Sequence, residues 1–137
     1  MTRHTFTGKI IVAILAIALA FIIPACGGSS KSSPEATLAV TTNPAVNTTV
    51  TPGVGPFNLN VDITSAMPAK GVSIAVAAAP DGSSSNFFST SVNSTKASND
   101  FTITGTPVGQ VCVVTVTVTS LSTSTNTWTG TYRYSAK

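Results

Sequence analysis

The 137-residue sequence predicts an all-β domain behind a hydrophobic helix and a flexible linker. We expect an antiparallel β-sandwich of about seven strands. Apolar and polar side chains alternate with a period of two in residues 57–64 and 112–119, as in strands with one buried face. Val and Thr, which are β-branched and favour strands, dominate these runs. Pro, Gly, Asn and Asp separate the runs, and these residue types form turns.

Residues 1–25 have the parts of an export signal peptide. Arg3 and Lys9 lie in a head that has no acidic residue, and residues 10–23 are an unbroken apolar run. A basic head followed by about 7–15 apolar residues is typical of a cleaved signal. A membrane-spanning helix needs about 20 apolar residues, whereas Pro24 ends this run early. We therefore expect a hydrophobic signal helix that is removed by cleavage.

The end of this signal resembles the lipobox of bacterial lipoproteins in the four residues Ile23, Pro24, Ala25 and Cys26. The resemblance implies that Cys26 is diacylated, becomes the first mature residue and holds the chain to the lipid bilayer. Gly27 stands where some lipoproteins have the Asp that retains them at the inner membrane. The resemblance therefore implies delivery to the outer membrane, on its periplasmic or surface face. The alternative is an ordinary signal cleaved near Ala25, with Cys26 left as a free thiol.

The mature chain divides into a tether and one domain. Residues 26–35 include a Gly/Ser-rich stretch, which is typical of a flexible tether. Residues 36–137 have the length of a single domain, which is typically about 100 residues or more. The alternation predicts strands near 37–42, 46–50, 57–64, 72–79, 86–92, 101–104, 111–120 and 126–134.

The last two predicted strands carry a second resemblance. The stretch TPVGQVCVVTVTVTS, residues 106–120, resembles the long penultimate strand of immunoglobulin-like and fibronectin-III-like domains. The stretch NTWTGTYRY, residues 126–134, resembles their last strand. The likeness covers residues 36–137 and implies an immunoglobulin-like β-sandwich. It departs from antibody domains because Cys112 has no partner in the mature chain except the lipidated Cys26.

The mature residues offer little that could perform catalysis. The only histidine, His4, leaves with the signal, which excludes a Ser-His-Asp triad and a His-containing zinc site. Asp62 lies on the polar side of its predicted strand, Asp81 in a Pro-Asp-Gly turn and Asp100 in a predicted loop. Convergent carboxylates, which glycoside hydrolysis requires, are therefore not expected. We predict that the protein is not an enzyme and has no cofactor.

The charge distribution argues against a nucleic-acid partner, whereas the remaining acids leave Ca²⁺ binding open. The formal charge of +3 falls to +1 when Arg3 and Lys9 leave with the signal, and the remaining basic residues are scattered. Nucleic-acid-binding domains have a clustered basic face, so no nucleic acid is expected. Asp81, Asn99 and Asp100 could offer oxygen ligands to Ca²⁺, but their spacing matches no calcium loop.

Cys112 shares its strand parity with Val114, Val116 and Val118, so we expect it in the core. A buried thiol has a raised pKa and is inert. Thr115, Thr117 and Thr119 alternate with these residues and are expected on the solvent face. A single Thr ladder is too small for an ice-binding array and is explained by strand propensity.

Trp128, Tyr132 and Tyr134 share one parity of the last predicted strand. We expect this parity to face the core, with Tyr134 nearest the rim. Aromatic rings on one strand face also form sugar-binding platforms, so Tyr134 and Trp128 are the candidate ligand contacts.

The sequence thus predicts a membrane-anchored lipoprotein of the cell envelope with a non-catalytic structural or interaction module. Its expected partners are the bilayer, through Cys26, and an envelope protein or polysaccharide. The alternative is a carbohydrate-binding module at the cell surface. A carbohydrate-binding module would expose the aromatic rings, whereas an interaction module would bury them.

Overall fold

The computed structural model describes residues 33–137, so the predicted signal and Cys26 lie outside the described residues. The described part forms seven strands. They are β1 (Val40–Asn43), β2 (Phe57–Ile63), β3 (Val72–Pro80), β4 (Phe88–Ser94), β5 (Ser98–Ile103), β6 (Val111–Ser120) and β7 (Thr127–Ser135). No helix among residues 33–137 is long and apolar enough to cross a membrane.

The strands form two antiparallel sheets. The three-stranded sheet has the order β1-β2-β5, and the four-stranded sheet has the order β4-β3-β6-β7. The long β6 pairs with β3 and β7, with Val116 opposite both Val76 and Gly130. The prediction of an all-β, two-sheet architecture is confirmed, and seven of the predicted strands match observed ones to within a few residues.

The strand predicted at 46–50 is wrong. This segment instead runs parallel to β7 in isolated contacts, where Asn47 N–H donates to Thr131 O at 2.7 Å and Val50 N–H to Arg133 O at 2.8 Å. Asn47 has a φ of 62°, the left-handed conformation that interrupts an extended ladder. The local turn geometry therefore prevails over the β-propensity of Val46 and Val50.

One core joins the two sheets. Buried side chains of β2 and β5 and those of β3, β6 and β7 belong to the same apolar cluster. On β6 the inward side chains are fully buried, as predicted: Cys112, Val114, Val116 and Val118. Thr115, Thr117 and Thr119 alternate with them and are half-buried. The period-two pattern therefore assigns the core face of β6 correctly.

Candidate functional site

The first described residues are fixed to one end of the sandwich by the side chain of Asn126. This amide donates to Glu35 Oε1 at 2.6 Å and to Ala36 O at 2.9 Å, and its oxygen accepts from Leu38 N–H at 3.0 Å. Asn126 lies in the turn between β6 and β7. We call this end of the domain the Asn126 end.

The opposite end of the strands carries an apolar cleft of about 470 Å³, lined by residues 54–57, 103–106, Val108, Ala136 and Lys137. These residues belong to the start of β2, the end of β5, the approach to β6 and the end of β7. β6 has ten residues between the two ends, which at the usual strand rise separates them by about 30 Å. We call this end the cleft end.

Two exposed valines form the lip of the cleft. Val54 is 76% exposed and Val108 is 74% exposed, while Ile103 and Ala136 behind them are buried. Lys137 is the only charged side chain in the lining. The cleft therefore presents uncovered apolar surface with little charge, which is a typical composition for a binding site.

Backbone hydrogen bonds hold the loops of the cleft end together. Gly53 N–H donates to Ser135 O at 3.1 Å, Lys137 N–H to Gly53 O at 2.9 Å and Gly109 N–H to Ala136 O at 2.9 Å. A Cβ added at Gly55 would lie 3.2 Å from the Phe57 ring, so the glycine allows the loop to lie close against this ring. The cleft is therefore formed by connected backbone.

Tyr134 lies beneath the cleft, contrary to the expectation that it is the aromatic residue nearest the rim. It is 2% exposed. Its ring packs edge-on against Phe57 with a centroid distance of 4.5 Å, and its hydroxyl is 2.7 Å from the Thr106 hydroxyl. Burial raises the pKa of Tyr134; the Thr106 hydrogen bond lowers this pKa and the nearby Cys112 raises it. Tyr134 thus contacts two cleft-lining residues from below: Phe57 of the other sheet packs on its ring, and Thr106 bonds to its hydroxyl.

Trp128 is half-buried and packs against the core. A Cβ added at Gly130 would lie 2.5 Å from the Trp128 ring and 2.5 Å from Val46 Cγ1. The indole therefore lies over a position that only glycine can occupy. Tyr132, between the two candidates, is buried, and its pKa is raised by burial and by the neighbouring Tyr134. The core parity predicted for these three aromatic residues is confirmed.

Cys112 is fully buried, and burial raises the pKa of its thiol. Its thiol lies 3.8 Å from Gln110 O, the acceptor of a weak hydrogen bond. Both facts agree with the predicted core position and with a thiol of low reactivity.

The structure places Asp81 beside the four-stranded sheet, whereas Asp62 and Asp100 share the outer face of the paired strands β2 and β5. Asp81 pairs with Arg133 at 3.0 Å on the outer face of the four-stranded sheet. Asp100 lies within β5, where it accepts from Asn60 Nδ2 at 2.9 Å, and the prediction of a loop there is wrong. Within residues 33–137, no three His, Cys, Asp or Glu side chains come together to hold a metal ion.

The cleft was not predicted from the sequence, although a sequence signal for it exists. Val54 lies in TPGVGPF and Val108 in TPVGQ, so both valines lie among turn-forming residues. An apolar side chain in such a turn has no strand face on which to be buried. No protein-family model, curated protein or solved structure matches the chain.

Proposed function

We propose that the chain is a lipid-anchored protein of the bacterial cell envelope. Its sandwich is a non-catalytic interaction module that binds an apolar segment of an envelope protein in the cleft. The observation that supports this most directly is the position of the cleft, at the end opposite the first described residues.

The anchor follows from the lipobox-like residues that end at Cys26, and the domain begins shortly after them. Only residues 27–34 separate Cys26 from Glu35, the first side chain held by Asn126. The nine Cα–Cα steps from Cys26 to Glu35 span at most about 30 Å when the chain is fully extended. An acylated Cys26 would therefore attach the domain to the bilayer through the Asn126 end, and the cleft lies at the end opposite this attachment.

The strand order supports an immunoglobulin-like identity for the sandwich. A constant-type immunoglobulin domain places its first, second and fifth strands in one sheet and its third, sixth and seventh in the other. The same grouping occurs here. β4 departs from that type because it pairs with β3 and not with β5, and related sandwiches vary in topology.

The lining of the cleft favours an apolar protein segment over a glycan. Binding clefts typically have volumes of about 300–1,000 Å³ and are largely apolar, and this cleft lies within that range. A glycan platform needs exposed aromatic rings. Within the part of the chain that the structure describes, every Trp, Tyr and Phe is buried or half-buried. The burial of Trp128 and Tyr134 therefore supports the interaction module.

The anchor is tested with Cys26→Ser. The variant should lose acylation and accumulate as unprocessed precursor or released protein, because stable residence needs about two acyl chains or a second membrane signal. Membrane fractionation after a high-salt wash measures this. Retention of a mature-sized serine variant in the washed membranes would refute the lipid anchor, whereas unprocessed precursor keeps its apolar signal and is expected to stay with the membrane.

The cleft is tested by placing a photo-reactive phenylalanine analogue at position 108 in cells. We expect a discrete protein adduct at position 108. The matched control is position 121 at the Asn126 end, where Leu121 is also exposed, and we expect no such adduct there. Val54→Asp should remove the adduct by placing a charge on the lip. Identical adducts from both positions, or an adduct that survives Val54→Asp, would refute the cleft as the binding site.

A further inference from the structure

The two sheets have four edges, formed by β1 and β5 in one sheet and by β4 and β7 in the other. An edge strand presents unpaired N–H and C=O groups, which can pair with a strand of another chain. Proteins block such edges with short strands, proline, charged side chains or a covering segment. The four edges can be compared on these terms.

Three edges carry a block. β1 has four residues and Pro44 follows it directly. β5 carries the charged side chain of Asp100. The edge of β7 is covered by residues 47–53, which hydrogen-bond to Thr131, Arg133 and Ser135. Each of these edges therefore opposes the addition of another strand.

β4 has none of these features. Its seven residues, FSTSVNS, include no charge and no proline. The flanking residues 83–87 and 95 are also uncharged and contain no proline, and the nearest charged side chain in the sequence is Lys96, two residues past the end of β4. Val92 on this strand is 46% exposed. β4 is therefore an open edge with an uncovered apolar side chain.

We infer that β4 pairs with β4 of a second copy of the chain. The two strands run antiparallel about a two-fold axis at Thr90 and join the four-stranded sheets into one sheet of eight. The inference does not depend on the proposed function, because it uses neither the anchor nor the cleft.

The side chains of β4 are self-complementary in this register. With Thr90 on the axis, Val92 lies opposite Phe88 of the second copy, and Phe88 lies opposite the second copy's Val92. Aromatic and β-branched residues form favourable cross-strand pairs. An axis at Ser91 would place Phe88 opposite Ser94 and leave both apolar side chains without an apolar partner. The Phe88–Val92 pairs therefore select Thr90.

The outer face of β4 supplies the test. Ser89 and Ser91 are exposed, and the Thr90 axis places Ser89 of each copy opposite Ser91 of the other. Replacing both serines with lysine opposes like charges at two positions. Replacing Ser89 with lysine and Ser91 with glutamate opposes unlike charges at the same two positions. Because both positions are exposed, the fold is expected to tolerate both variants.

Sedimentation equilibrium of the full chain in density-matched detergent measures the association. The wild type should dimerise, and Ser89→Lys/Ser91→Lys should weaken the dimer about tenfold or more. Ser89→Lys/Ser91→Glu should restore it. A wild type that stays monomeric across the concentration series would refute the inference. Equal dimerisation by both variants, or an equal loss in both, would refute this register.

Discussion

The two ends of the sandwich differ in how they are closed. At the Asn126 end, one amide makes three hydrogen bonds to residues 35–38. At the cleft end, Val54 and Val108 stay exposed although buried apolar residues lie directly behind them. A polar end with satisfied hydrogen bonds stabilises the domain, whereas uncovered apolar surface is typical of an interaction site. The Asn126 end therefore stabilises the domain, and the cleft end is the surface where we propose that a partner binds.

Among the variants that test this comparison, Trp128→Ala is expected to lower the free energy of unfolding most. Trp128 lies in the part of β7 near the Asn126 end and packs on the core. Truncating a fully buried tryptophan to alanine typically lowers the free energy of unfolding by about 3–5 kcal/mol. Because Trp128 is only half-buried, we expect a loss of about 2–3 kcal/mol. Thermal and urea unfolding measure the change.

The control for Trp128 is Thr129→Ala, an exposed neighbour on the same strand. It should change the free energy of unfolding by less than about 0.5 kcal/mol. The adduct at position 108 should persist in Trp128→Ala at temperatures where the variant is folded. Loss of the adduct from a folded, stable Trp128→Ala protein would place the function at the Asn126 end and reverse the comparison.

The contrast between the ends also shows how far the sequence predicts the structure. Alternation along β2, β6 and β7 identified the strands and the buried face, because burial of one side repeats at every second residue. Hydrogen bonds such as that of Asn60 with Asp100 join residues far apart in the chain. Their position depends on strand order, which no local pattern contains.

The cleft illustrates the same limit. Val54 and Val108 meet only because the start of β2 and the approach to β6 lie at one end of the sandwich. The cleft was a feature that the sequence did not predict, whereas the strand at 46–50 was predicted and is not formed. The β-branched residues of this segment predicted the strand, but the left-handed backbone of Asn47 interrupts it. Local propensity is thus misleading where one turn residue determines the backbone.

A second, smaller effect is expected from Asn126→Ala. The change removes three side-chain hydrogen bonds of the Asn126 end and leaves Leu38 N–H without this acceptor. Each such bond contributes about 0.5–1.5 kcal/mol, but Asn126 is partly exposed and water can replace some of them. We expect a loss of about 1–2 kcal/mol in the free energy of unfolding.

Hydrogen exchange localises the effect of Asn126→Ala. Protection of the Leu38 amide should fall, while the amides of Lys137 and Gly109 at the cleft end should keep theirs. The control is Asn93→Ala at an exposed position of β4, which should change amide protection at neither end of the domain. If protection fell equally at both ends, the two ends would not be independent structural units.

The smallest change in the free energy of unfolding is expected when the hydroxyl of Tyr134 or of Tyr132 is removed, and the two variants should differ. The Tyr134 hydroxyl bonds with Thr106 beneath the cleft, whereas the buried Tyr132 hydroxyl has no hydrogen-bond partner among residues 33–137. Tyr134→Phe should therefore lose about 1 kcal/mol of stability, and Tyr132→Phe should be neutral or gain up to about 1 kcal/mol. Urea unfolding at neutral pH measures both.

Alkaline pH tests the burial of the Tyr132 hydroxyl directly. Burial raises the pKa of Tyr132 above its ordinary value, so above a pH of about 10 the unfolded chain releases a proton that the folded chain retains. Stability is then fully present below the ordinary pKa and falls as pH rises above it, by up to about 1.4 kcal/mol per pH unit for one such group. Tyr132→Phe removes this contribution, so its stability should fall less steeply between pH 10 and 11. Equal alkaline slopes for Tyr132→Phe and wild type would mean that Tyr132 ionises as readily in the folded domain as in the unfolded chain, and that its hydroxyl reaches solvent.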